Sequence, residues 1–306
     1  MKVTIVGPGA VGVALAHTLL LSGIAREILL VGRDRAKAEA EALDLMHAQA
    51  FLTTSTRVTA GDLVDVSGSE IVVMCASVPT PREMKDRRIL ASGNARLMAA
   101  LLPTIASCAP KAKILFVSNP VDSLTWLARE LTGFAPSQLM GMGTLVDSFR
   151  LRHSLSEVMA IHPSDLRVYV LGEHGDSQFA ALSIASFGGE PIEDNGERRR
   201  LCEHAKRVGL EIFQKKGNTC YAIAQAAAYV VKSILLDERA TIPLSTFVNG
   251  FLGAGDLCLS LPVVVGKNGI ERVLQPRLNE EEQRAFLASS RVVGELNAKM
   301  IQELKR

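Results

Sequence analysis

Apolar residues in this chain follow two rhythms. Short unbroken aliphatic runs, Val3 to Val6, Ile28 to Val31, Ile71 to Cys75 and Ile114 to Val117, are too short for buried helices and suit strands covered on both faces. Between them, Asp34 to Ala50 is rich in Ala, Glu, Lys and Leu, and the segments after Arg88 and Asp122 repeat apolar residues every three or four positions, as helices do. Strand and helix in regular alternation predict βαβ units and an open parallel sheet. After about Gly143 the alternation stops. The strand candidates Leu166 to Leu171 and Leu257 to Val265 are separated by long helical stretches, among them the Ala-rich Thr219 to Leu236. The pattern therefore predicts an α/β fold, a doubly wound parallel sheet over residues 1–143 followed by a mixed α+β domain over 144–306. A last helix is marked by Asn279 as cap, three glutamates in its first turn and a stripe of Val292, Val293, Leu296, Met300 and Leu304.

Composition narrows the ligand more than the fold. The chain has 306 residues, 48% of them apolar, and 34 Lys and Arg against 32 Asp and Glu, a net charge of +2. A chain this long buries roughly three quarters of its unfolded surface, which excludes disorder, and a near-neutral balance offers no footprint for nucleic acid or an anionic membrane. The expected partner is a small molecule. Five scattered cysteines, Cys75, Cys108, Cys202, Cys220 and Cys258, lack the close spacing of metal sites or redox motifs and read as reduced core thiols, with no metal expected. The run from Val3 to Ala25 carries no charge except at His17, but Gly7, Pro8, Gly9 and Gly12 would break a signal helix. A cytoplasmic protein is expected.

Those same glycines are the first sign of chemistry. Gly7-Pro8-Gly9-Ala10-Val11-Gly12 follows the first strand and opens a helix, the context in which Gly7 permits a tight turn, Gly9 lets a pyrophosphate approach the backbone and Gly12 allows close packing, as in a Rossmann dinucleotide site. Position 32, at the end of the second strand, is where an acidic residue would bind the ribose 2′-hydroxyl of NAD. Here it is Gly32, followed by Arg33. A missing carboxylate and an adjacent guanidinium favour a 2′-phosphate, hence NADP or use of both cofactors, unless Arg33 is a solvated loop residue and Asp34 reaches the ribose.

Four further segments carry a family resemblance: Ser118-Asn119-Pro120-Val121-Asp122, Leu145-Val146-Asp147-Ser148-Phe149-Arg150, Gly172-Glu173-His174-Gly175-Asp176-Ser177 and Ser260 to Gly266. In this order behind the glycine turn, they resemble the L-lactate/malate dehydrogenase family across essentially the whole chain. The resemblance implies an oxidoreductase moving a hydride between NAD(P)H and a short 2-oxo acid, pyruvate giving L-lactate, with oxaloacetate giving L-malate as the alternative. From another class, a dinucleotide-binding module without catalysis is disfavoured by the retained proton-transfer residues. The resemblance also implies a homodimer or homotetramer.

Hydride transfer to a carbonyl needs a group that exchanges a proton with the resulting hydroxyl, and histidine suits that task. His174 is the candidate, and the resemblance gives Asp147 the role of fixing its tautomer. Arg150 lies three residues after Asp147, on the same helical face; such a pair is ordinarily a surface ion pair, and it is the resemblance that implies that the planar fork of Arg150 takes the substrate carboxylate. By resemblance Asn119 contacts substrate and nicotinamide, while Val117 and Asn94 hold cofactor-contact positions. Ser77 to Arg88 resembles the family's mobile lid, with Arg87 as the arginine that polarises the carbonyl and Arg88 as its competitor. The family's substrate-discriminating position falls on Pro81, or on Thr80 if counted from the strand, and Arg82 just beyond could serve a dicarboxylate. Thr219 and the string Arg150-Leu151-Arg152 resemble lactate-type relatives. Arg152 and Arg167 match positions where some bacterial members bind a sugar bisphosphate, although the second is usually histidine.

Overall fold

A computed structural model of the protein describes residues 1–81 and 86–305, and at Arg87 the backbone alone. The first half alternates as expected: β1 (Lys2–Val6), α1 (Ala10–Ser22), β2 (Glu27–Val31), α2 (Arg35–Gln49), β3 (Arg57–Gly61), β4 (Ile71–Met74), α3 (Ala91–Cys108), β5 (Lys113–Phe116), α4 (Val121–Thr132) and β6 (Leu139–Gly141). The remainder comprises α5 (Leu145–Met159), the two-residue strands β7 (Leu166–Arg167), β8 (Val170–Leu171), β9 (Phe179–Ala180), β10 (Ser186–Phe187) and β11 (Glu190–Pro191), then α6 (Gly196–Lys216), α7 (Tyr221–Leu235), β12 (Ala240–Phe247), β13 (Cys258–Gly266), β14 (Gly269–Val273) and α8 (Glu280–Leu304).

Among the described residues, nine strands form one sheet in the order β14-β13-β12-β6-β5-β4-β1-β2-β3. The six from β3 to β6 are parallel and doubly wound, and β12, β13 and β14 extend them as an antiparallel meander. Reversal of strand order between β1 and β4 opens a crevice at the carboxyl ends of the strands, where ligands of open α/β sheets bind. The chain leaves β1 at Gly7, β4 at Cys75, β5 at Val117 and β6 at Met142, so every motif of the first half emerges at that crevice. α7 packs against α1 on the same face of the sheet and joins the two halves. Its buried Ala227, Val230, Val231 and Ile234 share one core with Leu15, Leu19 and Leu20 of α1.

Two expectations need refinement. Leu166 to Leu171 is not one strand: β7 pairs with β10 and β8 with β9, because the chain changes sheets midway. β3, β6 and β12 are absent from the sequence expectations, and Pro243 of β12 lies directly opposite Pro262 of β13. Asp34 and Asn279 cap α2 and α8 through Lys37 N–H and Glu282 N–H. The stretch Arg88–Cys108 is long and apolar enough to cross a membrane by length and composition. Its Ala95, Met98, Leu102 and Ile105 are buried in the core of the sheet's second face. All five cysteines are free thiols.

Candidate active site

The glycine turn forms the first wall. Gly7 has φ +94°, and a Cβ on it would collide with the Ala76 backbone at the end of the neighbouring strand. A Cβ on Gly12 would stand 2.5 Å from the Gly7 carbonyl, whereas one on Gly9 would meet nothing within 4 Å. The turn thus leaves open space only above Gly9, the N-cap of α1, which has no side-chain cap and no acid in its first turn. Its free N–H groups and positive helix end are a seat for a pyrophosphate. At the end of β2, a Cβ on Gly32 would press on the Pro8 ring at 3.2 Å, and no carboxylate stands at this position. Asp34 accepts from Lys37 N–H as the α2 cap, and Arg33 is exposed without an ion pair among the described residues.

The second wall is a chain of charge. His174 Nδ1 lies 2.9 Å from Asp147 Oδ2, and Arg150 Nη1 donates to Asp147 Oδ1, also at 2.9 Å. Asp147 is 2% exposed, so one buried carboxylate holds both a histidine and an arginine. Three hydrogen bonds fix the loop that carries His174. Its own N–H donates to Asp122 Oδ2 at 2.7 Å, and Gly172 pairs with Ser260 of β13 in both directions, at 3.1 and 2.8 Å. The Ser260 hydroxyl accepts from Thr144 N–H at 3.0 Å, just before α5. The four motifs are therefore stitched to one another. Burial pushes the Asp122 carboxyl up to about 7, with Glu173 adding like charge.

A cavity of about 270 Å³ lies between these walls. Arg150, His174, Asn119, Val117, Thr80 and Thr219 all line it, with Val11 of α1, Gly209 and Phe213 of α6 and Ile223 of α7. Asn119 Oδ1 is buried without a hydrogen-bond partner among the described residues, and so is Asn218 Oδ1, one residue before Thr219. Cys75 also lines the space, but burial pushes its thiol up to about 12, so it is no nucleophile at neutral pH. Open backbone at Gly9 and the orphaned amide oxygen of Asn119 fit a dinucleotide lying from the glycine turn towards His174.

Family models cover both halves of the chain: a lactate/malate dehydrogenase NAD-binding domain matches residues 1–141, and the family's α/β C-terminal domain matches residues 144–304. The chain belongs to the lactate/malate dehydrogenase family. As a family member it is an NAD-dependent 2-hydroxy acid dehydrogenase. An L-lactate dehydrogenase of Thermus aquaticus is 37% identical over 303 residues, covering 96% of this chain and 97% of the relative. One from Clostridium botulinum (strain Okra / Type B1) is 36% identical over 299 residues, covering 94% and 93%. Among solved structures, a lactate dehydrogenase from a Medee basin deep-sea metagenome library superposes with a TM-score of 0.93 at 30% identity, covering 98% of each chain. The ligand-bound minor L-lactate dehydrogenase of Enterococcus mundtii gives the same TM-score and identity, covering 97% and 98%.

Within this dehydrogenase, most sequence-predicted residues converge and a few do not. Asn94 is fully buried behind the cavity wall, where it accepts from Val78 N–H at 2.7 Å and donates to the Asn119 carbonyl at 2.6 Å and the Ser77 hydroxyl at 3.0 Å. It ties the ends of β4 and β5 together. Arg88 Nε donates to Asp86 at 2.7 Å. Arg82 and the Arg87 side chain lie outside the described residues, while Thr80 and Pro81 are exposed beside the cavity mouth. Arg152 is buried: its Nε donates to the Val168 carbonyl, its guanidinium stacks on Phe149 and Tyr169, and burial pulls its pKa down. Arg167 is exposed and donates to the Ser164 carbonyl. Sequence reading missed Asp122 as the anchor of His174, although it had quoted the motif that holds it, and it missed Asn218 and Gly209.

Proposed function

We propose that the protein interconverts pyruvate and L-lactate. The observation that carries the reading is Asp147, whose two oxygens hold His174 and Arg150 at the same 2.9 Å in one cavity, in a chain whose full-length relatives are named L-lactate dehydrogenases. The site lies between a cofactor-binding half, 1–143, and a catalytic half, 144–306. Asp147 accepts from the Nδ1–H of His174, which leaves Nε2 as the atom that gives a proton to the substrate oxygen in reduction and takes it back in oxidation. Asp147 also stabilises the imidazolium form.

Arg150 presents its remaining N–H donors to the substrate carboxylate and so orients the 2-carbon. Asn119 Oδ1 faces substrate and nicotinamide, Val117 packs on the cofactor, and Thr219 closes the substrate side. Arg87 is assigned to polarising the carbonyl from the lid. The nicotinamide, when bound, supplies or accepts the hydride. Gly7, Gly9 and Gly12 seat its pyrophosphate, and Asn94 shapes that wall from behind. Arg33 extends the cofactor reading to NADP(H), because an exposed guanidinium beside a glycine has a partner to offer a 2′-phosphate. The five free thiols fit a cytoplasmic location.

Initial rates with pyruvate and oxaloacetate, each with NADH and NADPH, test the whole reading. Pyruvate is expected to win in kcat/KM by more than about tenfold, with NADPH accepted and its use, not that of NADH, reduced in Arg33→Ala. Preference for oxaloacetate would transfer the assignment to malate and make Arg82 the residue that meets the second carboxylate. NADH use alone, unchanged by the substitution, would remove the role of Arg33.

A further inference from the structure

α6 runs for 21 residues and buries two of them, Ala205 and Gly209, in a helix that packs against α5. Glycine inside a helix destabilises it relative to alanine. Gly209 has an ordinary helical backbone with no positive φ, so no turn requires it. What requires it is Arg150. A Cβ on Gly209 would stand 2.7 Å from Arg150 Nη1 and 3.3 Å from Cζ and Nη2, three atoms of the guanidinium plane. The helix therefore presents bare backbone to one edge of the guanidinium, while Nη1 is held to Asp147 at 2.9 Å. Gly209 and Arg150 line the same cavity.

We propose that Gly209 is a positioning residue for the substrate carboxylate: its missing side chain sets the depth at which the Arg150 fork lies in the cavity. The proposal rests on the reading of Arg150 as carboxylate anchor. A methyl group at 209 forces a retreat of the better part of an ångström before ordinary contact is reached. The helix backbone is stiff and the arginine end is flexible, so the guanidinium is what moves. Such a change leaves folding intact and misplaces the group that orients the substrate. Displacements of that size in a bound reactant lower rates by about 100-fold.

Gly209→Ala separates this role from a structural one. The variant is expected to raise the KM for pyruvate by about ten- to a hundredfold, to weaken oxamate by a similar factor, and to leave NADH affinity unchanged. Its thermal midpoint should equal or exceed that of the parent, because alanine is the better helix former. In an Arg150→Ala background, the same substitution should have little further effect on KM, since the group it displaces is gone. An unchanged KM in Gly209→Ala, with Arg150→Ala impaired, overturns the proposal alone. An equal penalty in both backgrounds also overturns it, by showing that the glycine acts through room in the pocket. An unchanged KM in Arg150→Ala removes the carboxylate anchor itself, and the proposal with it.

Discussion

Asp122 shows how much one side chain outside the proton path governs this site. It is buried in the first turn of α4, and its Oδ2 holds the His174 loop by the backbone N–H. Its carboxyl is raised from 3.8 to about 7, chiefly by burial. The sign follows from linkage. Below about pH 4 folded and unfolded chains both carry the proton; as pH rises towards 7 the unfolded chain releases it first, so folding loses stability across that window and then levels off. Asp122→Asn keeps an oxygen to accept from His174 N–H and removes the charge. Urea denaturation at pH 5 and pH 8 should therefore show a loss in the parent, on the order of a few kcal/mol, that is much smaller in the variant. Parallel profiles would refute the assignment. At this scale the sequence was most legible at His174, whose residue type suits proton exchange, and at Asp147 and Arg150, which a family motif marks, and least legible where a side chain acts through a backbone contact far along the chain, as Asp122 does.

Among elements, β13 does most to assemble the site without lining its cavity. Ser260 is fully buried; its backbone pairs with Gly172 and its hydroxyl accepts from Thr144 N–H at 3.0 Å, so the His174 loop and the start of α5 share one support. Replacing Ser260 by Ala leaves the Thr144 N–H buried without its acceptor, a loss of about 1–3 kcal/mol measurable by chemical denaturation. Because Asp147 lies in the first turn of α5, kcat should fall as well. A variant with parent stability would show that another acceptor replaces the hydroxyl. Period and composition predicted four of the six parallel strands and the α8 cap, since those signals are local. They did not predict β12, nor the division of Leu166 to Leu171 between two small sheets. Both depend on which distant strand is available as partner.

Over the whole molecule, one apolar surface feature stands outside the dehydrogenase site. Leu145, Val146, Phe149, Ala222, Ala226 and Tyr229 line a hollow of about 370 Å³ on α5 and α7. Phe149 is 42% exposed and Tyr229 37%, with their rings 6.2 Å apart. Contiguous exposure of this kind marks an interaction face, and Arg150 lines the same hollow from within. The protein is expected to sediment at twice or more its chain mass of 32.9 kDa, and Phe149→Glu to shift it towards the single chain. A parent at 32.9 kDa would discard that surface as a subunit contact.

The sequence by itself determined the parallel βαβ half and the glycine turn, because each is written in residue type and in spacing within a few turns, and it carried the motifs through which His174, Asp147 and Arg150 resemble a dehydrogenase site. Tertiary structure decided what those residues are bound to. It set Asp147 between His174 and Arg150, closed β13 behind the histidine loop, turned Arg152 inward against two aromatic rings and laid Arg150 on the bare backbone of Gly209. Asp147 with Arg150 and Phe149 with Arg152 are neighbours on α5, but the other pairings join positions far apart along the chain, and no local preference specifies those. They follow from which surfaces the folded core brings into contact.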